Sequence, residues 1–189
     1  MGRADDILDS ISSRKIAGEA FALATVVRTV AATAAKAGAK AVILADGTIS
    51  QGWIGGGCAR AAVLKAARDC LADGRSRLVS VQPEEALEGQ GHKPGDEQGG
   101  VCFAKNMCPS QGTMDIFVEP VLPRPQVVVC GSSPVAVAVA EFARRSGFAI
   151  TVCAPAAEQA AFATADQRIE GFALPVDETL YRDLLYSVQ

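Results

Sequence analysis

The sequence predicts an α/β protein, in which an N-terminal α+β domain with a mixed or antiparallel sheet precedes a partial βαβ domain. Three observations lead to this prediction. Strand-like apolar runs alternate with segments of helical period along the first 121 residues. The proline-containing residues 122–125 are typical of a stiff linker. Beyond them a strand, a glycine turn, a helix and a second strand follow in close succession.

The N-terminal elements follow from the spacing of apolar residues and from glycine positions. In chain order they are helix 5–15, strand 21–29, strand 41–44, strand 48–54, helix 58–74, strand 77–81 and strand 113–121. The pair Asp46-Gly47 predicts a hairpin turn, and Gly74 predicts the end of the second helix. Residues 82–100 are polar and rich in glycine, and we interpret them as a long loop.

The C-terminal elements are those of a Rossmann-like unit. They are strand 126–130, helix 135–146, strand 149–153, helix 156–165, strand 172–176 and helix 178–186. The predicted domains are therefore 1–121, a linker at 122–126, and a partial Rossmann-like domain at 127–189. In the turn after the first strand, Ser133 replaces the second fingerprint glycine, and no acidic residue follows the next strand. These departures argue against bound NAD(P).

Composition and charge exclude several classes of protein. Hydrophobic residues make up 49% of 189 residues, which is ample for a packed core. The net charge of -3 and the absence of a basic run argue against nucleic acid. A polar N-terminus and short apolar runs indicate a cytoplasmic protein without membrane insertion. The six cysteines are interpreted as reduced thiols, and a single histidine, His92, argues against a zinc site or a catalytic triad.

Two glycine-rich loops each contain a cysteine. Gly55-Gly56-Gly57-Cys58 directly precedes a helix, so its bare amides and the helix dipole predict an anion site. The alternative is a tight turn that directs Cys58 into the core. Cys108 lies in a second loop, before Gly112 and the strand at 113–121. The alternative for Cys108 is a buried thiol, since cysteine is among the most buried residues.

Other side chains have two interpretations each. Arg28 and Lys40 are candidate cationic contacts to an anion, and ordinary solvated charges are the alternative. Trp53 either stacks on a flat ring or, as the better interpretation, anchors the core. Cys70 and Cys130 are interpreted as packing residues.

Several of these segments together resemble the XdhC/CoxI family of accessory proteins, which mature molybdenum hydroxylases such as xanthine dehydrogenase and carbon monoxide dehydrogenase. The matching pieces are residues 24–29, 38–40, 45–47, 55–58 and 108–120, and the strand, turn and helix after the linker. Pro109, Ser110 and Gln111 stand where many members have glycines, a form that resembles the carbon monoxide dehydrogenase-associated branch.

The resemblance implies a protein that binds the molybdenum cofactor, as molybdopterin with or without a cytosine nucleotide. It implies a chaperone rather than a turnover enzyme, with a cysteine desulfurase and an apo molybdenum hydroxylase as partners and a homodimer as the expected assembly. The residue that contacts the cofactor, and its molybdenum, maps to Cys108, with Cys58 as the second candidate. The predicted site residues are Cys108, Cys58, Gly55, Gly56, Gly57, Gly112, Lys40 and Arg28.

Two other functions stay open at this point. One is an NAD(P)-dependent oxidoreductase that uses the Rossmann-like domain. The other is a thiol-based sulfur carrier, in which Cys58 or Cys108 transiently holds a persulfide.

Overall fold

The computed structural model describes residues 4–109 and 111–171. The chain splits into two compact units, Met1–Pro123 and Arg124–Gln189, which we call unit 1 and unit 2. Unit 1 contains a seven-stranded mixed sheet with helices, and unit 2 contains a three-stranded parallel sheet with a helix. The predicted α/β class is therefore confirmed.

The elements of unit 1 agree with most of the predicted ones. They are α1 (Ala4–Ala17), β1 (Phe21–Val30), β2 (Lys40–Leu44), β3 (Ile49–Gly52), α2 (Gly57–Asp73), β4 (Arg77–Gln82), α3 (Glu84–Gly89), β5 (Glu97–Gln98), β6 (Val101–Lys105) and β7 (Thr113–Val121). The hairpin at Asp46-Gly47 is present, because β2 and β3 pair as antiparallel neighbours. Gly74 ends α2 in the left-handed conformation, with φ 72°, and donates a hydrogen bond to the Cys70 carbonyl.

The prediction of a long loop over residues 82–100 is wrong. This stretch contains the short helix α3 and the two-residue strand β5, and the strand β6, which directly follows it, was not predicted. Only Leu87 is buried among the six residues of α3, so the sequence of this helix shows no helical spacing of apolar residues. β6 forms by pairing parallel to β4, a contact between distant parts of the chain that its own residues do not indicate.

The order of strands in unit 1 brings several loops to one edge of the sheet. The order is β3-β2-β1-β7-β4-β6-β5. β1, β3, β4 and β6 run in one direction, whereas β2 and β7 run in the other. The carboxyl ends of the first group therefore lie beside the amino ends of the second. We call this side of the sheet the loop edge, and it carries residues 31–39, 53–56, 83–84 and 106–112.

The core of unit 1 lies between the sheet and α2. Alternate residues of β1 and β7 point to this face, and they pack against the apolar side of α2. The fully buried members include Ala24, Val26, Ile116, Val118 and Val63. Each large aliphatic side chain of such a core stabilises the fold by about 1.5–3 kcal/mol. The strand and helix periods read from the sequence place these side chains inward.

The other face of the sheet is covered in part by α1. Ile7 from α1 packs against Phe21 and Val42, which point away from α2. Toward the far end of the sheet His92 stacks on Phe103, with ring centroids 3.8 Å apart. Between these two covered regions the same face carries polar side chains, which belong to the candidate site described below.

Unit 2 contains a βαβ unit with parallel strands. Its elements are β8 (Gln126–Cys130), α4 (Pro134–Arg145), β9 (Ala149–Ala154), a 3₁₀ helix (Ala156–Phe162) and β10 (Gln167–Glu170), and its sheet has the order β10-β9-β8. The predicted helix 156–165 is thus a shorter 3₁₀ helix, and β10 was not predicted. The strand predicted at 172–176 and the helix predicted at 178–186 lie outside the described residues.

Two packing predictions are wrong. Cys130 is exposed at the end of β8, whereas Cys70 is buried in α2 as predicted. Trp53 has 51% of its surface exposed and does not anchor the core. Both residues lie at strand ends, where the alternation of buried and exposed positions no longer determines which way a side chain points.

The described part of the chain contains no helix that is long and apolar enough to span a bilayer.

An ion pair between α2 and β4 predicts how stability depends on acidity. Arg77 binds Asp73 through two hydrogen bonds, of 3.0 and 2.6 Å. These bonds, with one from the Arg75 amide, lower the pKa of Asp73 to about 2. The pair therefore stabilises unit 1 above the ordinary pKa of 3.8, and that contribution is lost as the pH falls toward 2. In urea unfolding, we expect Asp73→Asn to be less stable than the wild type at about pH 6 and to match it near pH 2. A difference that persists unchanged at low pH would contradict this assignment.

Candidate functional site

The loop edge of unit 1 collects the predicted site residues. The glycine turn follows β3 and opens α2, and Lys40 begins β2. Arg28 lies close to the carboxyl end of β1. Cys108 and Gly112 lie in the connection from β6 to β7. Residues that are up to 84 positions apart in the chain (28 to 112) thus reach the same side of one sheet.

The glycine turn leaves the amino end of α2 without a side-chain cap. Gly56 is the N-cap residue, no side chain bonds to the first amides, and the first turn has no acidic residue. Gly57 has φ +52°, and a Cβ placed on it meets nothing within 4 Å. The first amides of this 17-residue helix are therefore uncovered beside open space. This geometry is suited to an anion, because the amides and the helix dipole both attract negative charge.

Trp53 lies next to this turn. A Cβ placed on Gly56 would lie 3.7 Å from Cη2 of the indole ring. The ring is half-exposed, and its backbone amide is held by a 2.8 Å hydrogen bond to the Lys40 carbonyl. The flat face of an aromatic ring is thus available beside the uncovered amides.

A single asparagine closes the loop that carries Cys108. The Cys108 amide donates to the Asn106 side-chain oxygen at 2.9 Å. The side-chain nitrogen of Asn106 donates to the Gly112 carbonyl at 2.6 Å. The Asn106 amide in turn donates to the Gln82 carbonyl, at the end of β4. The loop is therefore held in place while the Cys108 thiol is exposed, so the alternative of a buried Cys108 is wrong.

The two glycine-rich loops rest on the same short segment, residues 31–35. A Cβ on Gly112 would lie 2.2 Å from the Ala32 carbonyl oxygen, so only glycine permits this approach. A Cβ on Gly55 would lie 3.8 Å from the Cβ of Ala34. The segment that follows β1 thus lies directly against Gly112 and close to Gly55. Cys58, in the first turn of α2, is half-buried.

The thiols of unit 1 fall into two groups. Burial raises the pKa of the Cys70 thiol and of the half-buried Cys102 thiol. Both pack with the core against α2. A protonated, enclosed thiol is a poor nucleophile and a poor metal ligand. The loop cysteines Cys58 and Cys108 are therefore the thiols of unit 1 that suit the chemistry of a site.

A bulge in β1 places Arg28 on the polar face of the sheet. Pairing between β1 and β7 shifts register between Val26 and Arg28, so that Arg28 lies opposite Asp115. Arg28 Nε donates to Asp115 Oδ2 at 2.6 Å. Asp115 is buried, whereas the Arg28 side chain is 60% exposed. The carboxylate therefore orients a guanidinium that is largely exposed to solvent.

Asp115 also anchors a chain of polar side chains, buried except at its outer end, that the sequence patterns do not indicate. Ser80 donates to Asp115 at 2.6 Å, and Gln82 donates to the Ser80 oxygen at 2.8 Å. Gln90, just after α3, donates to Gln82 at 3.0 Å. The one signal in the sequence is the alternation of apolar and polar residues in 79–82, which by itself is typical of a solvent-facing strand.

Lys40 completes the set of cations. Its side-chain nitrogen donates to the Thr25 hydroxyl at 2.9 Å. Thr25 and Lys40 are the paired residues of β1 and β2 that lie nearest the loop edge. Within the described ranges no group of three or more His, Cys, Asp or Glu side chains is arranged to hold a metal ion. The loop edge therefore offers uncovered amides, two cations held by hydrogen bonds, an aromatic ring and an exposed thiol to a ligand.

Comparison with known sequences gives a family match that covers part of the loop edge. Residues 16–82 match the sequence model of the XdhC and CoxI family. That segment contains Arg28, Lys40 and the glycine turn, and it ends before Cys108. No curated protein matches the sequence. Among solved structures, a crystal structure of a xanthine dehydrogenase from Bacillus halodurans is similar, with 15% sequence identity over 97% of this chain and 70% of that chain, and a TM-score of 0.42.

Proposed function

We propose, from the match of residues 16–82 to the XdhC and CoxI family, that this protein binds the molybdenum cofactor as cargo and assists maturation of a molybdenum hydroxylase. One observation carries the proposal. The uncapped amino end of α2 and the exposed Cys108 loop rest on the same segment, residues 31–35, at the edge that also holds Arg28 and Lys40.

The residues at the loop edge fit the chemistry of this cargo. Molybdopterin has a phosphate, a flat pterin ring and a metal bound through sulfur. The amides of Gly57 and Cys58 suit the phosphate. Trp53 offers a surface for the ring. The exposed Cys108 thiol is a soft ligand of the kind that suits a sulfur-bound metal. When bound, the cargo supplies the molybdenum centre that the client enzyme needs.

Each group of this chain has a distinct role in the proposal. Asp115 holds Arg28 so that its guanidinium donates to the anion without a large loss of side-chain entropy. Asn106 holds the backbone on both sides of Cys108, so the thiol meets the cargo from a fixed direction. Because Cys108 and Trp53 are exposed at the loop edge, a second protein can reach the bound cargo there.

The finer assignments belong to the same proposal. The client is a molybdenum hydroxylase of the xanthine dehydrogenase or carbon monoxide dehydrogenase type. A cysteine desulfurase that sulfurates the cofactor is the second partner, and the protein acts as a homodimer in the cytoplasm. Residues 1–121 form the cofactor-binding domain, and residues 127–189 a partial Rossmann-like domain. The pattern Pro109-Ser110-Gln111 favours the carbon monoxide dehydrogenase-associated branch.

Titration of the reduced protein with molybdenum cofactor, released from a purified molybdenum enzyme and followed by absorbance, tests the proposal. We expect stoichiometric binding to the wild type and an affinity about tenfold weaker for Cys108→Ala, which corresponds to about 1.4 kcal/mol. Cys130→Ala is the matched control, because that thiol is also exposed but belongs to unit 2. Equal affinity for Cys108→Ala and the control would remove Cys108 from the site, and no binding to the wild type would overturn the function.

A second candidate, the thiol-based sulfur carrier, is favoured by the exposure of Cys108. It predicts that incubation with a cysteine desulfurase and free cysteine adds one sulfur atom to Cys108, as detected by mass spectrometry. Cofactor binding without such an adduct supports the chaperone, whereas an adduct without cofactor binding supports the carrier.

The NAD(P)-dependent oxidoreductase receives less support. The Ser133 hydroxyl already accepts a hydrogen bond from the Ala136 amide at 3.2 Å, so it caps the helix end that a pyrophosphate would occupy.

A further inference from the structure

Two cysteines of unit 2 lie side by side at the carboxyl end of its parallel sheet. Cys130 is the last residue of β8, and its register partner in β9 is Cys153. Neighbouring strands are about 4.8 Å apart, which lies within the Cα separation of about 4.4–6.8 Å found in disulfides. Partners in a parallel pair direct their side chains to the same face of the sheet. The two sulfur atoms are therefore neighbours on one face.

The local backbone holds this pairing in register. The Gly131 amide, directly after Cys130, donates to the Cys153 carbonyl at 2.9 Å. The register is continuous from Gln126 opposite Ala149 to the cysteine pair, without a bulge. The two cysteines thus meet without any movement of the strands.

The two thiols differ in their surroundings. Cys130 is exposed, whereas Cys153 is fully buried. Burial raises the pKa of the Cys153 thiol, and the nearby Cys130 raises it further. An oxidant in solution therefore reaches Cys130 before it reaches Cys153.

We propose that Cys130 and Cys153 form a redox-active dithiol, which a low-molecular-weight disulfide such as oxidised glutathione converts into an intramolecular disulfide. The Cys130 thiolate attacks one sulfur of glutathione disulfide, which forms a mixed disulfide and releases one glutathione thiolate. Cys153 loses its proton to solvent and attacks the Cys130 sulfur, which releases the second glutathione thiolate. The protein gives up two electrons and two protons, and the glutathione disulfide becomes two thiols.

This modification site is separate from the proposed cofactor site and does not depend on it. It joins β8 to β9 next to the turn that begins at Gly131. In α/β units this end of the sheet is where ligands bind, so oxidation would link the redox state of the cell to that turn.

Peptide mapping of the full chain tests the proposal. Trypsin places Cys130 in the peptide 106–144 and Cys153 in the peptide 146–168, so a disulfide joins two separate peptides. Because the first peptide also contains Cys108, the experiment uses Cys108→Ser protein, which is reduced, incubated with glutathione disulfide, alkylated and digested. We expect peptides 106–144 and 146–168 to be linked, with a combined mass lower by two hydrogen atoms, and no glutathione on either of them.

Two further measurements keep the test decisive. In Cys153→Ser added to this background, glutathione should remain on Cys130, because the second step has no nucleophile. With Cys153 present, the rate of the second step should rise about tenfold per pH unit while Cys153 is mainly protonated. Stable glutathione on Cys130 of the protein that retains Cys153, or both cysteines recovered in alkylated form, would overturn the proposal.

Discussion

Replacing Gly52 with alanine is expected to lower the free energy of unfolding of unit 1 by about 3–5 kcal/mol, since steric overlap and backbone strain add. A Cβ at this position would lie 2.0 Å from the Lys40 carbonyl oxygen and 2.9 Å from the Ala41 Cα. Both neighbours are backbone atoms of β2, so no side chain can rotate away. Gly52 also has φ +84°, a conformation that alanine adopts only with strain.

The same Lys40 carbonyl accepts the hydrogen bond from Trp53 that holds the start of the glycine turn. The substitution therefore disturbs the candidate site as well as the hairpin. Circular dichroism in increasing urea gives the change in stability. Gly18→Ala is the control, because Gly18 has φ +69° with nothing within 4 Å of a Cβ. We expect that variant to lose only about 1–2 kcal/mol through backbone strain. Similar losses in the two variants would show that the close approach of Gly52 to β2 does not add to the cost of the alanine substitution.

Asp115→Ala is the second substitution with a large expected effect, a loss of about 2–4 kcal/mol. Asp115 is buried and accepts hydrogen bonds from Arg28 and from Ser80. Without the carboxylate, the buried Ser80 hydroxyl loses its acceptor and is held only by the hydrogen bond that it accepts from Gln82. A buried polar group left without its partner costs about 1–3 kcal/mol, and the cavity left by the side chain adds to this.

Glu119→Ala is the control for Asp115. Glu119 is a carboxylate four residues farther along the same strand and on the same face, but it is only half-buried and lies outside the chain of hydrogen bonds through Ser80. Its removal should change stability by about 0.5 kcal/mol or less. The titration with cofactor should also separate the two, because only Asp115→Ala releases Arg28 from its fixed orientation. Equal stability of the two variants would contradict a structural role for the buried chain.

A comparison of Arg28→Ala with Asp115→Ala distinguishes the effect of this ion pair on folding stability from its effect on cofactor binding. Arg28 is 60% exposed, but its partner Asp115 is buried and keeps only the Ser80 donor when Arg28 is removed. We expect Arg28→Ala to weaken binding of the anionic cofactor and to lower the urea midpoint less than Asp115→Ala does. This result would show that the ion pair serves mainly to orient the Arg28 guanidinium for binding.

Local patterns in the sequence were sufficient for most elements. The helical spacing after Cys58 predicted α2, and the run of β-branched residues at 21–29 predicted β1. Each of these patterns reports a buried face, and a buried face has the period of its own element. Elements that bury too little of one face were not predicted from the sequence. The six residues of α3 bury only Leu87, and β6 is a strand because β4 lies beside it.

The candidate site shows the same division. The glycine turn was recognised because it opens a helix, and the Cys108 loop because glycine and proline surround it. Their common support, the segment 31–35, was not recognised, and neither were Asp115, Ser80 and Gln82. The hydrogen bonds of these residues join strands that are far apart in the chain.

The amino-acid sequence by itself determined where the chain turns, which faces of its helices and strands are apolar, and which residues carry reactive groups. These properties depend on neighbours within about one or two turns of a helix, where spacing and side-chain shape are sufficient. Strand order, the bulge that brings Arg28 opposite Asp115, and the pairing of Cys130 with Cys153 were decided by the folded chain. Each depends on which distant strands pair, and that choice minimises the free energy of the whole sheet rather than of any one segment.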